Sequence, residues 1–394
     1  MIFRNYILVY FLFALGGVTT FSSNSRFVQL FAVVLVLLFF YKKKRIDKEI
    51  VFISIYITVL FIAQYLKFNA FNLKNYIVLI YTILIPYIII KIVGRDFTTY
   101  YINITVLFAI ISFFFLIPAY LFPKFNVFIQ NLAIQLDLDP LEGVHENFIV
   151  YNYQEMRDGL IKNPGPFYEA GAFGSFLVIA LILSLIKTRS LFNFKNIILI
   201  ITILSTFSTA AYIALFAIVL FYYTNSKKLW KPIILIPFIL FISYQAFSEF
   251  SFLQQKIQTQ LEQSSRLDES DIRVGRFHSA KLDMIDIMKY PITGRGLIAE
   301  TRFDNIYEVG SNNGLTDLAV RYGIFGFLLY FILIYKSLTI FCRFNHFNPR
   351  FAFFSLIPLA IMLFAQVIYS KPAFLALMMM FILYKGVTPF KSKQ

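Results

Sequence analysis

Long, almost uninterrupted apolar runs recur along this chain, and they restrict its fold more than any other feature. They lie at 6–21, 27–41, 50–66, 76–93, 101–122, 167–186, 196–208, 210–225, 232–248, 314–335, 351–369 and 372–386. A helix that crosses the hydrocarbon core of a bilayer takes about 20 mainly apolar residues. The spacing therefore predicts an all-α polytopic membrane protein of about twelve transmembrane helices. The stretch 196–225 is too long for one span and short for two. Ser205, Ser208 and Thr209 mark a bend in it, so two short helices are expected.

Composition agrees, since 59% of the residues are apolar and 14% are charged, a balance that no soluble domain buries. Forty-nine Phe and twenty-five Tyr supply bulky lipid-facing and interfacial side chains, and with one Trp the interfacial belt falls to Tyr. The single cysteine, Cys342, excludes an intramolecular disulfide, a cysteine-based zinc site and a redox pair. The net charge of +15 is scattered between apolar runs rather than gathered on one soluble face, so it points to topology and not to nucleic acid. The first run lacks a convincing cleavage site and another apolar run follows at once, so it reads as a spanning helix and not a signal peptide.

Twelve spans from a cytoplasmic N-terminus place Arg4, Lys42–Arg45, Lys48, Lys91, Arg95, Lys187, Arg189, Lys195, Lys227, Lys228, Lys231, Lys336, Arg343, Arg350, Lys385, Lys391 and Lys393 on the inside. The short outer connections hold only Arg26, Lys67, Lys74 and Lys371, the asymmetry that the positive-inside rule requires. Of the acidic residues, only Asp47, Glu49 and Asp96 fall inside. The remainder gather mainly in two long outer loops, about 123–166 and 249–313, of a single integral membrane domain spanning 1–394. Loops of that length are usually functional or disordered. The second carries a helical pattern, with Phe277, Met284, Ile287 and Met288 on one side and Pro291 as its end, which argues against disorder. The chain has no 20–50 residue repeat and no glycine-rich phosphate loop, which argues against an ATPase.

No ionisable residue is securely placed at mid-membrane depth, so the polar chemistry falls at the outer ends of the helices. Three stretches stand out: LIKNPGPFYEAGAFGSF (160–176), DIRVGRFHSAKLDMIDIMKYPITGRG (271–296) and SNNGLTDLAVRYGIFG (311–326). Together they resemble the Wzy-type O-antigen and capsule polymerases and the related O-antigen ligases. In the first stretch Lys162, Gly165, Phe167, Glu169, Gly171 and Phe173 fall on an R-x-x-G-x-F-x-E-P-G-x-F signature. Lys162 stands where Arg is usual and Ala170 where Pro is usual. The second resembles the family's arginine-containing outer loop ending in P-[LI]-x-G-x-G, here Pro291, Ile292, Gly294 and Gly296, with Arg276 as the family arginine. The third is similar to the ligases' H-N-x9-G-x-x-G pattern at Asn313, Gly323 and Gly326, but Asn312 stands where their His would be, and an amide cannot take a proton.

The resemblance implies a GT-C-like glycosyltransferase without cofactor or metal, in a bacterial cytoplasmic membrane with its site facing the periplasm or outside. Such a polymerase joins undecaprenyl-diphosphate-linked oligosaccharide units, and a chain-length regulator and a flippase enter as partners. Cations are needed where the diphosphate leaves, and Arg273, Arg276 and Arg295 are suited to that, assisted by Arg157, Lys162 and Arg321. Glu169 is the candidate to orient or deprotonate the acceptor hydroxyl, Tyr168 to stack on a sugar, and Asn312 and Asn313 to contact substrate. Each has a structural competitor. The arginines can pair with Glu262, Asp268, Glu269 or Asp271; the glycines beside Arg295 admit a structural turn; Glu169 can serve the nearby helix amides; and Asp317 with Arg321 is a plain i,i+4 pair. His145, His278 and His346 are too scattered for a metal site. The competing functions are an O-antigen ligase, a lipid-linked oligosaccharide flippase or other transporter, and a receptor or scaffold. A transporter would show polar residues at mid-depth and similar halves, and this chain shows neither.

Overall fold

The computed structural model describes residues 2–18, 21, 25–70, 72–136, 146–147, 149–153, 161–224, 275–298 and 311–384. Helices run in the order α1 (Ile2–Gly17), α2 (Ser25–Tyr41), α3 (Lys48–Phe68), α4 (Leu73–Val93), α5 (Phe97–Leu121), α6 (Pro123–Leu136), α7 (Ala170–Thr188), α8 (Phe194–Ser205) and α9 (Thr209–Thr224). After them come α10 (Arg276–Lys289), α11 (Gly314–Phe344), α12 (Arg350–Phe354), α13 (Leu356–Ala365) and α14 (Pro372–Met379), which closes in a 3-10 turn at Met380–Tyr384. The only strands among the described residues are Glu146–Asn147 and Asn152–Tyr153, a short antiparallel pair in the first long loop. A helix lies at each predicted run except 232–248, which is outside the described residues.

Among the described residues, four helical stretches are long and apolar enough to cross a membrane: Lys48–Phe68, Leu73–Leu121, Ala170–Thr188 and Gly314–Phe344. The second has 49 residues. At 1.5 Å per residue it would reach more than twice the depth of a ~30 Å hydrocarbon core. It is broken where Gly94 takes φ 77°, ψ −151°, so α4 and α5 are separate helices. Between α8 and α9 the chain turns through Phe207 at φ 47°, at the predicted Ser/Thr bend.

The two ends of the bundle differ in chemistry. At one end, the basic end, Lys91 pairs with Asp47 at 2.8 Å, Lys195 Nζ donates to Asn103 Oδ1 at 2.6 Å, and Arg189 Nε donates to the Asn345 carbonyl at 3.0 Å. These contacts join residues that the charge pattern put on one side. At the other end, the loop end, α1 finishes and α7, α11 and α14 begin. The centre is α7, whose residues from Ala172 to Ile186 are all buried. Gly174 admits α9 there, since a Cβ on it would stand 3.0 Å from the Ala211 methyl. In a bilayer such close packing, rather than water exclusion, holds helices together.

Candidate functional site

The loop end is organised by the segment leading into α7. Asn163 fixes its start: its backbone N–H donates to the Ser205 carbonyl at 3.1 Å, its amide donates to Ser112 and Ser205 Oγ at 2.8 and 2.9 Å, and its Oδ1 accepts the Gly165 N–H at 3.1 Å. Gly165 takes φ 53°, where a side chain would also strike the Phe173 ring, so this signature glycine is required by the turn. Phe167 is fully buried and stacks on Phe173 and Phe176 at 5.6 and 4.7 Å. Its ring occupies the space where a Cβ on Gly17 would be. The Tyr168 N–H then donates to the Gly17 carbonyl at 3.1 Å. The anchored ring and the backbone bond together fix Tyr168 and Glu169 at the start of α7.

Glu169 is the N-cap of α7 in extended conformation, but its carboxylate makes no capping bond. It is half-buried and forms no ion pair among the described residues. Arg276, at the first turn of α10, is likewise half-buried and without an ion pair. Both act on Tyr168. Burial pushes the Tyr168 hydroxyl well above its ordinary range, the Glu169 carboxylate pushes it further, and the Arg276 guanidinium opposes them. The charges of the two residues given catalytic roles from sequence thus both act on one tyrosine.

The other two described arginines are committed elsewhere. Arg295 is 4% exposed, and its Nε and Nη2 bond Asp286 Oδ1 at 2.9 and 2.8 Å beneath the Tyr290 ring, 4.4 Å from the ring centroid. Its N–H donates to the Val320 carbonyl at 2.6 Å. That carbonyl is free because α11 breaks at Gly323, with φ 67° and ψ 177°. The break releases Val320 and Arg321 carbonyls and the Ile324 N–H. The turn 291–296 satisfies all three, through Arg295 N–H, Gly296 N–H to Arg321 at 3.2 Å, and Ile324 N–H to the Pro291 carbonyl at 2.7 Å. Gln64 of α3 adds a bond from Nε2 to the Arg321 carbonyl at 2.9 Å. Gly294 and Gly323 let the two backbones meet, since a Cβ on Gly323 would stand 2.1 Å from the Ile292 oxygen. Arg321 pairs with its i−4 neighbour Asp317 at 2.8 Å, and Asp317 also accepts the Tyr369 hydroxyl at 2.7 Å. Arg295 and Arg321, expected as substrate contacts, are each paired with a carboxylate, Asp286 and Asp317.

Asn313 is also structural: fully buried, it caps α11 by accepting the Leu315 and Thr316 N–H groups at 3.0 and 3.2 Å. Asn312 is exposed beside it, its N–H on Ser279 Oγ at 3.3 Å. Lys162 sits between Ile161 and Asn163, which are bonded to α5 and α8. Arg157 and Arg273 lie outside the described residues.

With this geometry in place, comparison with protein families gives one match, over residues 194–331, to the family described as O-antigen ligase. That segment is similar to the O-antigen ligase family. The match supports the resemblance carried by the second and third stretches, and a polysaccharide-related membrane function. No curated protein and no solved structure matches the chain. The ligase-family segment takes in α8, α9, α10 and the broken part of α11, while Glu169 and its signature lie before it.

Two residues at the loop end went unread in the sequence. Gln366 is a polar residue inside the predicted run 351–369, and it is buried where α13 ends. Lys371, the N-cap of α14, projects its ammonium over the Tyr168 ring at 5.5 Å. A polar side chain inside an apolar run was the signal for the first. Beside this turn a small apolar pocket lies between α3, α4, α11 and α14, with Ile53, Leu79 and Leu318 in its wall and Tyr369 and Ser370 at the end next to Lys371.

Proposed function

We propose that this protein polymerises polyprenyl-diphosphate-linked oligosaccharide units at the outer face of a bacterial cytoplasmic membrane. The observation that carries this reading is the pair of Glu169 and Arg276, an acid and a cation without ion pairs among the described residues whose charges both act on Tyr168, while Arg295 and Arg321 are neutralised by Asp286 and Asp317. In the reaction, the bond between the donor's anomeric carbon and its phosphate oxygen breaks and the diphosphate keeps the electron pair. Arg276 meets that charge. The hydroxyl of a second lipid-linked unit forms the new glycosidic bond and gives its proton to Glu169. Tyr168 offers a ring face to a sugar, and the adjoining apolar cavity offers room for part of a prenyl chain.

The family description favours a second reading, a ligase that moves finished polymer to another lipid acceptor. Asn312 in place of the ligase histidine weighs against it. Purified protein mixed with synthetic lipid-linked repeat units decides between them. A polymerase yields a ladder from these units alone, a ligase yields product only with its separate acceptor, and no product with either set ends both readings.

A further inference from the structure

Four helices start around the turn that joins α13 to α14. α7 begins at Ala170, α10 at Arg276, α11 at Gly314 and α14 at Pro372. Their closeness is fixed by contacts. Asn313 Nδ2 reaches the Arg276 carbonyl at 3.5 Å, a Cβ on Gly314 would stand 2.3 Å from the Gln366 carbonyl, and one on Gly171 would stand 2.4 Å from Gln366 Nε2. Helix N-termini carry partial positive charge and unsatisfied N–H groups, which favour anions. Of the four, only α11 has a side-chain cap, so the starts of α7, α10 and α14 are all uncapped by side chains.

Independent observations point to what occupies this place. The Gln366 side chain is 6% exposed, yet its amide makes no hydrogen bond among the described residues and lies against the first turn of α7. A polar side chain this far buried normally has a hydrogen-bond partner. Lys371 is half-buried over Tyr168 and has no carboxylate partner among the described residues. Burial lowers its pKa with no opposing anion, and Glu169 does not offset this.

We infer that Gln366 and Lys371, with Arg276, form an anion site over the start of α7 that takes a phosphate-class oxyanion, Lys371 supplying charge and Gln366 an amide donor. Under the proposed function, on which this assignment of the ligand rests, the anion is the donor's diphosphate. The site needs a glycine at 171, because a methyl group there meets the Gln366 amide.

The test measures binding of farnesyl diphosphate, inorganic diphosphate and farnesol to the full chain in lipid nanodiscs. Farnesyl diphosphate should bind the wild type, and Lys371→Met and Gln366→Leu should each weaken it roughly tenfold to hundredfold, the span of a lost charge-assisted or buried hydrogen bond. Lys371→Arg should stay within a few-fold, which a role as a proton acceptor would not permit. Gly171→Ala should weaken binding in the same way as Gln366→Leu. Farnesol binding should be unchanged throughout, and competition by inorganic diphosphate identifies the phosphate rather than the chain as the ligand. No diphosphate binding by the wild type, or wild-type affinity in folded Lys371→Met, overturns the site. A site that binds in this pattern in a protein making no ladder would survive the loss of the polymerase reading. A normal ladder from Lys371→Met with unaltered binding would remove the site alone.

Discussion

Replacing Arg295 with Ala should destabilise the protein rather than stop its chemistry selectively. The guanidinium and the Asp286 carboxylate are 4% and 1% exposed at 2.8 Å, so removing one partner leaves the other charge buried and unpaired. Breaking a buried pair in this way costs about 3–5 kcal/mol. Loss of the stacking on Tyr290, where the guanidinium carbon is 4.4 Å from the ring centroid, adds about 0.5–2 kcal/mol. The backbone bond from residue 295 to Val320 remains, so the turn should loosen without letting go of α11. Heat-induced loss of the monodisperse peak in detergent, with protein abundance in membranes, measures the effect. Arg295→Ala and Asp286→Ala should each lower both. Arg295→Met with Asp286→Leu should lower them less than the sum of the single changes, because a pair of apolar residues leaves no buried charge. Wild-type thermal stability of Arg295→Ala combined with complete loss of polymer would refute the argument and return Arg295 to the substrate.

Arg276→Ala should abolish polymer at normal protein level, and Arg276→Lys should retain part of it because the bidentate fork is lost; full activity of the Ala variant would take Arg276 out of the site. Glu169→Gln keeps size and hydrogen bonding but not basicity, so it should fold and bind lipid-linked substrate while making no ladder, and a near-normal ladder would end its role as proton acceptor. Gly323→Ala should melt at lower temperature, since its φ of 67° strains an L side chain by about 1 kcal/mol and separating its methyl from the Ile292 carbonyl breaks buried bonds worth about 1–3 kcal/mol. Reporter fusions at Lys44, Lys228 and Lys393 should report cytoplasm and those at Glu146 and Ser265 the outside, and a cytoplasmic signal at Ser265 would overturn the orientation.

The helices were legible because apolar runs in a membrane chain have few other solutions, and even the bend at 205–209 was marked by Ser and Thr. The helix 276–289 was legible too, with its end at Pro291, but not its orientation. Phe277, Met284 and Met288 point outward, at 47, 47 and 70% exposure, while Ser279, Asp283 and Asp286 are buried. The inward face meets groups that want acceptors: Asp283 Oδ2 receives the Ser311 and Thr316 hydroxyls at 2.7 and 2.6 Å, and Asp286 receives Arg295. Hydrophobic periodicity finds a helix, but it assigns the buried face correctly only when the surroundings are water and the neighbour is apolar. The partner of Arg295 was hidden for a related reason. Loop acids at 262–271 were the competitors weighed, whereas the one that pairs with it stands on the preceding helix, and only the fold of the 291–296 turn brings it there.

That turn separates what the motifs can say about function from what they cannot. A helix broken at Gly323 exposes two carbonyls and one N–H that a bilayer cannot satisfy. The residues Pro291 to Gly296 answer them group for group, with Gly294 and Gly323 admitting the contact. The P-[LI]-x-G-x-G and G-x-x-G resemblances thus describe one interlocking structural unit, which any relative with a broken α11 would need whatever bond it makes. The same holds for Gly165 and Phe167, which anchor the first signature. Room for different chemistry lies at side chains that this scaffold does not bind in ion pairs or hydrogen bonds, and among the described residues Glu169, Arg276, Gln366 and Lys371 are such side chains at the loop end. Under the proposed function, Glu169 is the group that accepts a proton and Arg276 the one that meets the diphosphate charge. A pair of carboxylates, the arrangement for hydrolysis of a glycoside by water, is not built here among the described residues. Under the proposed function the acceptor is then a hydroxyl brought by a second substrate, and product length depends on how long the growing chain stays bound between transfers.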